Sequence, residues 1–316
     1  MNKEEQIKIL DQICPFYCGK NTKRRTRHAF FEKISTEIQA YVLGLHTADG
    51  CIDDKKQMFR LRLKLEDTDT IYLIKDIIAV DARIYIDNAR PITKNGTVVG
   101  KNTGDCGIDI YSKKIKDDLT NLYVGLRKTY SEIPLPNINP ELIRHFIRGY
   151  FDGDGCVSWG VCKKNGEFKN WLWKKVEITS KTGTLLKDIQ SFLKEKNIES
   201  NVNFRKDRNN FVFEICQWES IKRFYNLIYE ESNFYLKRKY EKFSHFVNTE
   251  VSQLIAEHRN AQKVNASNSN NLSTSAEHPN GMNMCAELTG NCKNSEIKSS
   301  EDNIMRMERN DGSKCC

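Results

Sequence analysis

The chain has 316 residues, enough for one large or two modest cores, and a formal charge of +8 from 50 Lys and Arg against 42 Asp and Glu. The excess is uneven: 7 basic and 9 acidic residues fall from Thr249 onward, which leaves the first 248 residues at +10 and suits them to a polyanionic partner. No apolar run approaches membrane length, and eleven cysteines without a signal sequence read as reduced thiols of an intracellular, non-secreted protein. Cys14 and Cys18 lack a second ligand pair at finger-like spacing, so a structural zinc is not expected.

Residues 1–28 read as a basic N-terminal arm, with Ile7, Leu10 and Ile13 at helical spacing and then a basic run from Lys20 to His28. Non-specific phosphate contact by a solvated arm is its expected role. Ser35 and Thr36 then open a helix with Glu37 in its first turn, and Ile38, Tyr41, Val42 and Leu45 recur on one face. This helix ends in the nonapeptide Val42–Gly50, VLGLHTADG. Cys51 follows it as an expected small buried thiol.

From Phe59 to Glu66, apolar Phe59, Leu61, Leu63 and Leu65 alternate with Arg60, Arg62, Lys64 and Glu66. A strand with one face for a core and one for cations fits that pattern, and Arg is the commonest reader of guanine in the major groove. A helix over about 68–79 and strands near 83–87 and 107–111 follow, with the polar stretch 88–105 expected as a long loop. Lys113 precedes a helix expected over 115–126. Residues 127–140 hold three of the six prolines and read as a linker.

Asn139, Pro140 and Glu141 start a fresh helix as N-cap, first position and first-turn acid. It ends in Ile147–Gly155, IRGYFDGDG, a second copy of the earlier nonapeptide. Gly44 and Gly149 share one slot of the repeat, Ala48 and Gly153 another, and Asp49 and Asp154 a third. Small residues four apart let two helix backbones approach closely, and Gly50 and Gly155 are expected as left-handed C-caps. A segment duplicated at domain-sized spacing implies two similar halves.

The second half continues in the same order. Trp171–Ser180 alternates as a strand with Lys175, Glu177 and Thr179 on its polar side, and residues 181–196 are amphipathic. Residues 202–205 and 211–215 flank a turn bearing Lys206 and Arg208, close to Arg205, and Gln217 stands roughly where Lys113 does in the first half. A helix over 219–229 and a basic segment, Lys237-Arg238-Lys239-Tyr240, complete the half. Residues 248–316 lose aromatics and periodicity and are expected as a disordered polar tail.

Asp49 and Asp154 stand at the unfavourable, partly negative ends of their helices. Packed side by side, the two carboxylates would repel by roughly 3 kcal/mol at ~5 Å and an effective dielectric near 20. A hard divalent cation removes both penalties, and Mg²⁺ suits a carboxylate pair that also meets a phosphate. A calcium loop starting at Asp152 is excluded because Cys156 and Lys163 stand where ligands are required.

The two nonapeptides resemble the paired motifs of the LAGLIDADG homing endonucleases in their single-chain form, over about residues 29–247. The resemblance implies an α+β fold of two pseudo-symmetric αββαββα halves, 29–133 and 134–247. The motif helices would pack through Gly44 and Gly149, and antiparallel sheets would form a DNA-binding saddle. It implies a monomeric, metal-dependent endonuclease making a staggered break at a long asymmetric site in double-stranded DNA. Asp49 and Asp154 would be catalytic and bind Mg²⁺, or Mn²⁺ in its place, with Ala48 and Gly153 beside them, and Lys113 would steady the attacking water. Arg60, Arg62, Lys64, Lys175, Glu177, Thr179, Arg205, Lys206 and Arg208 would face the DNA. Thr47 departs from the family, which often has Asp there, as do Arg148 and Tyr150. The competing reading is a non-cleaving binder on the same scaffold, such as an intron RNA maturase, which predicts loss of one or both acids.

Overall fold

A computed structural model describes residues 2–18, 23–94, 97–122, 132–164 and 167–272. The chain divides into Met1–Asn265 and Ala266–Cys316. Of the second unit only the residues to Leu272 are described, and they are helical. All that follows concerns the first unit.

A helix α1 (Lys3–Ile13) and a small pair of strands, β1 (Tyr17–Cys18) and β2 (Arg25–Thr26), precede the first motif helix. That half then runs α2 (Glu37–Asp49), β3 (Gly50–Asp53), β4 (Met58–Lys64), α3 (Thr68–Ile78), β5 (Ile84–Asp87), a hairpin of β6 (Arg90–Lys94) and β7 (Thr97–Asn102), β8 (Asp105–Tyr111) and α4 (Lys113–Asn121). The second half runs α5 (Pro140–Asp154), β9 (Gly155–Lys164), β10 (Glu167–Ser180), α6 (Thr184–Glu195), β11 (Asn201–Arg205), β12 (Asn210–Ile215) and α7 (Trp218–Tyr229). Two further helices follow, α8 (Lys237–Asn248) and α9 (Val251–Leu272). The antiparallel sheets have matching orders, β3-β4-β8-β5 and β9-β10-β12-β11, so each half is αββαββα and the fold class is α+β. The stretch expected as a long loop carries the β6–β7 hairpin instead, and the expected helix over 115–126 spans Lys113–Asn121.

Local chemistry sets both motif helices. Thr36 caps α2 in a reciprocal box with Gln39, and the Asn139 side chain accepts from the Glu141 amide ahead of α5. The two helices pack along one another with glycine at the crossing. A Cβ on Gly44 would run into the Phe146 carbonyl oxygen, and one on Gly149 into the carbonyl oxygen of Tyr41. Around this axis one apolar core takes in both halves, from Leu10 through Ile38, Leu61 and Ile108 to Phe146, Ile178 and Phe224. The alternation along β4 holds: Phe59, Leu61 and Leu63 are buried and Arg60 and Arg62 are half-buried on the open face.

Several expectations change. Gly50 and Gly155 are extended, with φ −86° and −79°, and not left-handed. The chain passes from each helix straight into a strand, and the glycine is needed because a Cβ would strike the ring of His46 or Phe151 four residues earlier. Cys51 and Cys156 are exposed, the first residues of their strands to face away from the core. The N-terminal arm is docked where it is described. Arg27, 2% exposed, donates to the carbonyls of Ile77 and Cys14 and to Asp11, while Arg25 pairs with Asp81 at 3.1 Å. The polar tail expected from residue 248 begins as α9, whose Leu254 and Ile255 are buried. Lone apolar residues in a polar stretch were enough once a surface existed to receive them.

A buried polar network pins the motif helices. Arg148 is fully buried and donates to Glu37 at 2.8 Å, to the carbonyls of Phe234 and Ile228, and to His145 Nδ1. Glu37 also accepts from Gln6 of α1 and from Asn233. Asp152, likewise fully buried, accepts from the hydroxyls of Tyr41 and Tyr229 and the amide of Leu236. Desolvation pushes the Asp152 carboxyl up to about 6, against the pull of Tyr229, Leu236 and Arg148. The network joins α1, α2, α5 and the 228–236 connection.

Gly149→Ala should cost about 1–3 kcal/mol in urea unfolding, because the helix backbones must separate to admit one methyl group. Arg148→Ala should cost about 3–5 kcal/mol, since Glu37 would be left charged in a dry site. His145 gives a pH signature, because burial and then Arg148 and Arg144 push its imidazole down to about 2. The unfolded chain takes up that proton below about pH 6.5 and the folded chain does not, so folding weakens as pH falls by about 1.4 kcal/mol per unit. His145→Gln, which keeps an acceptor for Arg148, should show a shallower acid slope between pH 6.5 and 5; an unchanged slope would place the imidazole in water.

Candidate nuclease site and nucleic-acid face

Both candidate acids stand where their helices end. Asp49 is the last residue of α2 and Asp154 the last of α5, and both are exposed, each after a half-buried small residue, Ala48 or Gly153. Glycine at 153 admits the partner acid: a Cβ there would lie 2.9 Å from Asp49 Oδ2 and would collide with Ala48. The Asp49 carboxylate therefore reaches across to the residue before Asp154. Asp154 opens on a cleft of about 270 Å³ between the end of α2, at Thr47 and Ala48, and the second sheet, at Thr179 and Ser180. Tyr150 also lines it, and burial and then the Asp154 charge push its phenol well up. The hydroxyl of Thr47, where an acid was the family expectation, donates back to Leu43 at 2.8 Å.

Lys113 is not brought to the acids. Gly50, next to Asp49, pairs with Leu61 on β4, whereas Ser112 bonds to Gln57. Four strand positions separate those levels, roughly 13 Å at 3.3 Å per residue. Lys113 is the exposed first residue of α4, at the end of the sheet away from Asp49. Gln217, its expected counterpart, is an N-cap and so matches Ser112 instead.

Lys239 is the lysine that stands next to the end of a motif helix. Its ammonium donates to the carbonyl oxygen of Gly155, directly after Asp154. Burial lowers its pKa, Arg238 lowers it further, and Asp152, Cys156 and Asp49 pull the other way. It lies on α8 in a run of basic residues, so nothing in the local pattern marked it. Only the return of α8 to the motif helices does so.

The cations expected to face DNA lie on the open faces of the sheets, and most are held by acids. Arg60 makes a two-pronged bond to Asp109, 2.8 Å on each arm, which pushes the guanidinium pKa further up. Arg62 lies 3.7 Å from the same carboxylate and over the ring of Tyr85 at 4.7 Å, and Lys64 is exposed. In the second half Arg205 bridges Glu177 at 3.2 Å and Glu214 at 2.8 Å, with Lys175 against Glu177 at 2.5 Å. Burial raises the Glu177 carboxyl, but Lys175 and Arg205 outweigh it and hold the group below the usual range. Thr179 faces the cleft, and Lys206 and Arg208 are exposed at the β11–β12 turn, where Arg208 meets Asp207 at 3.6 Å.

Against protein families, residues 141–229 match the LAGLIDADG-like domain. No curated protein matches. Solved structures similar to this chain include a point mutant of I-SmaMI, at 12% identity over 66% of this chain and 89% of that one, TM-score 0.44. Another is the LAGLIDADG meganuclease I-AabMI bound to uncleaved DNA, at 12% over 70% and 95%, TM-score 0.45. A third is a mesophilic variant of the homing endonuclease I-DmoI, at 17% over 66% and 97%, TM-score 0.40. Likeness at these scores carries no inference about chemistry. The duplicated motif helix and the matched strand orders are features of this chain itself, and its residues 141–229 match the LAGLIDADG-like domain, the family that the sequence resembles.

Proposed function

We propose that this protein is a DNA endonuclease that hydrolyses one phosphodiester bond in each strand of a long asymmetric site, acting as a monomer. The observation that carries the reading is the placement of Asp49 against Gly153, the residue before Asp154, which opens on a cleft. A structural role does not account for two exposed carboxylates on the negative ends of two packed helices, each costing some tenths of a kcal/mol.

The donor set fits a hard divalent cation. Asp49 and Asp154 offer carboxylate oxygens, and the described residues include no cluster of three or more His, Cys, Asp or Glu that would cage a metal by itself. Two acids with the remaining positions left to water and phosphate oxygens suit Mg²⁺, with Mn²⁺ able to substitute. Bound there, the metal would activate water and offset charge on the phosphate. The chain's own residues supply the rest. Lys239, fixed at the Gly155 carbonyl, offers a desolvated positive charge beside the acids, and Arg60, Arg62, Lys64, Lys175 and Arg205 place the duplex. Acid partners hold Arg60 and Arg205 in fixed orientation before DNA arrives, which favours base reading over loose phosphate contact. Retention of both acids also favours cleavage over the maturase-like binder.

Selection of cleaved sites from a randomised duplex library, followed by nicking assays with Mg²⁺, tests the reading. Asp49→Asn and Asp154→Asn should each abolish double-strand cutting while duplex affinity stays within about twofold; unchanged cutting by either variant removes that acid from the mechanism. Lys239→Met should slow cutting about 10²–10³-fold at unchanged affinity, whereas Lys113→Met should leave the rate as it is. A chain that binds duplex and never cuts, with or without Mg²⁺ or Mn²⁺, would make it a binding protein.

A further inference from the structure

Two tryptophans are left in the open on the ribbon of the second half. Trp171 is 62% exposed and Trp173 41% exposed, the largest indole exposures among the described residues. Leu172 and Val176 are buried, so Trp173 and Lys175 share the face of β10 that carries Glu177 and Thr179 toward the acids, and Trp171 comes just before them, where the β9–β10 register shifts. Near its tip the ribbon meets α9. There Arg259 donates to Asn170 at 2.8 Å, and His258 meets the ring of Phe168 edge-on. The ribbon is thus a braced element with an aromatic outer face.

The geometry of that face is specific. Trp173 lies down over Gly160 of the paired strand, where a Cβ would come within 2.8 Å of its indole nitrogen, so one ring face is seated and the other is offered outward. Among the described residues no ring contact is recorded for either indole, whereas Trp159 stacks on Phe246 and Trp218 meets it edge-on. Lys175 follows on the same face, and Lys163 and Lys169 are exposed near the ribbon tip. Cations beside unpartnered aromatic faces match a nucleotide, with phosphate to the one and base to the other.

We propose that Trp171 and Trp173 form a stacking site for an unpaired nucleotide of a DNA strand. An intact duplex hides its base faces within the stack, so the site would engage a strand end, a bulge or an unstacked step at the edge of the bound site. This rests on the reading that the open sheet face meets DNA, and it extends that reading from groove contacts to a strand that has left the duplex.

The test uses the full chain with labelled oligothymidylate and oligouridylate of about 20 nucleotides, longer than a single-strand site of this kind, and a duplex of equal length. Oligothymidylate should bind and quench indole emission. Trp171→Ala and Trp173→Ala should each weaken that binding roughly fivefold or more and leave duplex affinity nearly unchanged. Trp171→Phe and Trp173→Phe should retain most of it, because a smaller ring still stacks. Alanine variants that bind the single strand like wild type, or that lose single-strand and duplex affinity alike, would overturn the proposal. Tighter binding of oligouridylate than of oligothymidylate would assign the site to RNA and overturn the DNA assignment. A chain that binds duplex but not oligothymidylate sinks this site alone, while one that binds neither sinks the DNA reading with it.

Discussion

The closeness of two helix backbones governs this molecule. At Gly44 and Gly149 there is no room for a methyl group, because each glycine faces a carbonyl oxygen of the other helix. Only that approach lets the last residues of α2 and α5 come to one place, and a third glycine, Gly153, leaves the gap into which Asp49 reaches. Each half then hangs its first strand directly from its helix. The same contact that brings Asp49 against Gly153 therefore also anchors the first strand of each sheet.

Such a crossing is apolar at its centre and demands something at the other end to fix its register. Arg148 and Glu37 meet there, fully dry, with Gln6, His145, Asn233 and two backbone carbonyls completing their hydrogen bonds. A buried pair of this kind adds little net stability over packed hydrocarbon, but it penalises any displacement that unpairs it. It also ties in the chain between α7 and α8, which then delivers Lys239 to Gly155. The interior lock and the cation beside the acids are thereby parts of one connection.

The two halves share a fold and diverge in how they present charge. In the first, Arg60 and Arg62 share one buried acid, Asp109, and Lys64 is exposed beside them. In the second, two cations and two acids close a network of no net charge, and exposed indoles take the place of further cations. An asymmetric nucleic-acid partner is the natural match for two such faces.

By itself the sequence determined the duplication, the motif helices with their caps, the alternation along β4 and β10, and the matching positions of Asp49 and Asp154 at the helix ends. All of these rest on local periodicity or on a repeat, which the order of residues records directly. Tertiary structure alone decided that Arg27 is interior and Arg60 is braced, that Lys113 is remote and Lys239 is near, and that α9 meets the ribbon. Charge and hydropathy describe a residue, whereas burial and pairing depend on what arrives opposite it from tens or hundreds of positions away. Glycine shows the difference within one motif: Gly50 and Gly155 look like left-handed caps in the sequence, yet they are extended and small because a ring from the preceding turn lies against them.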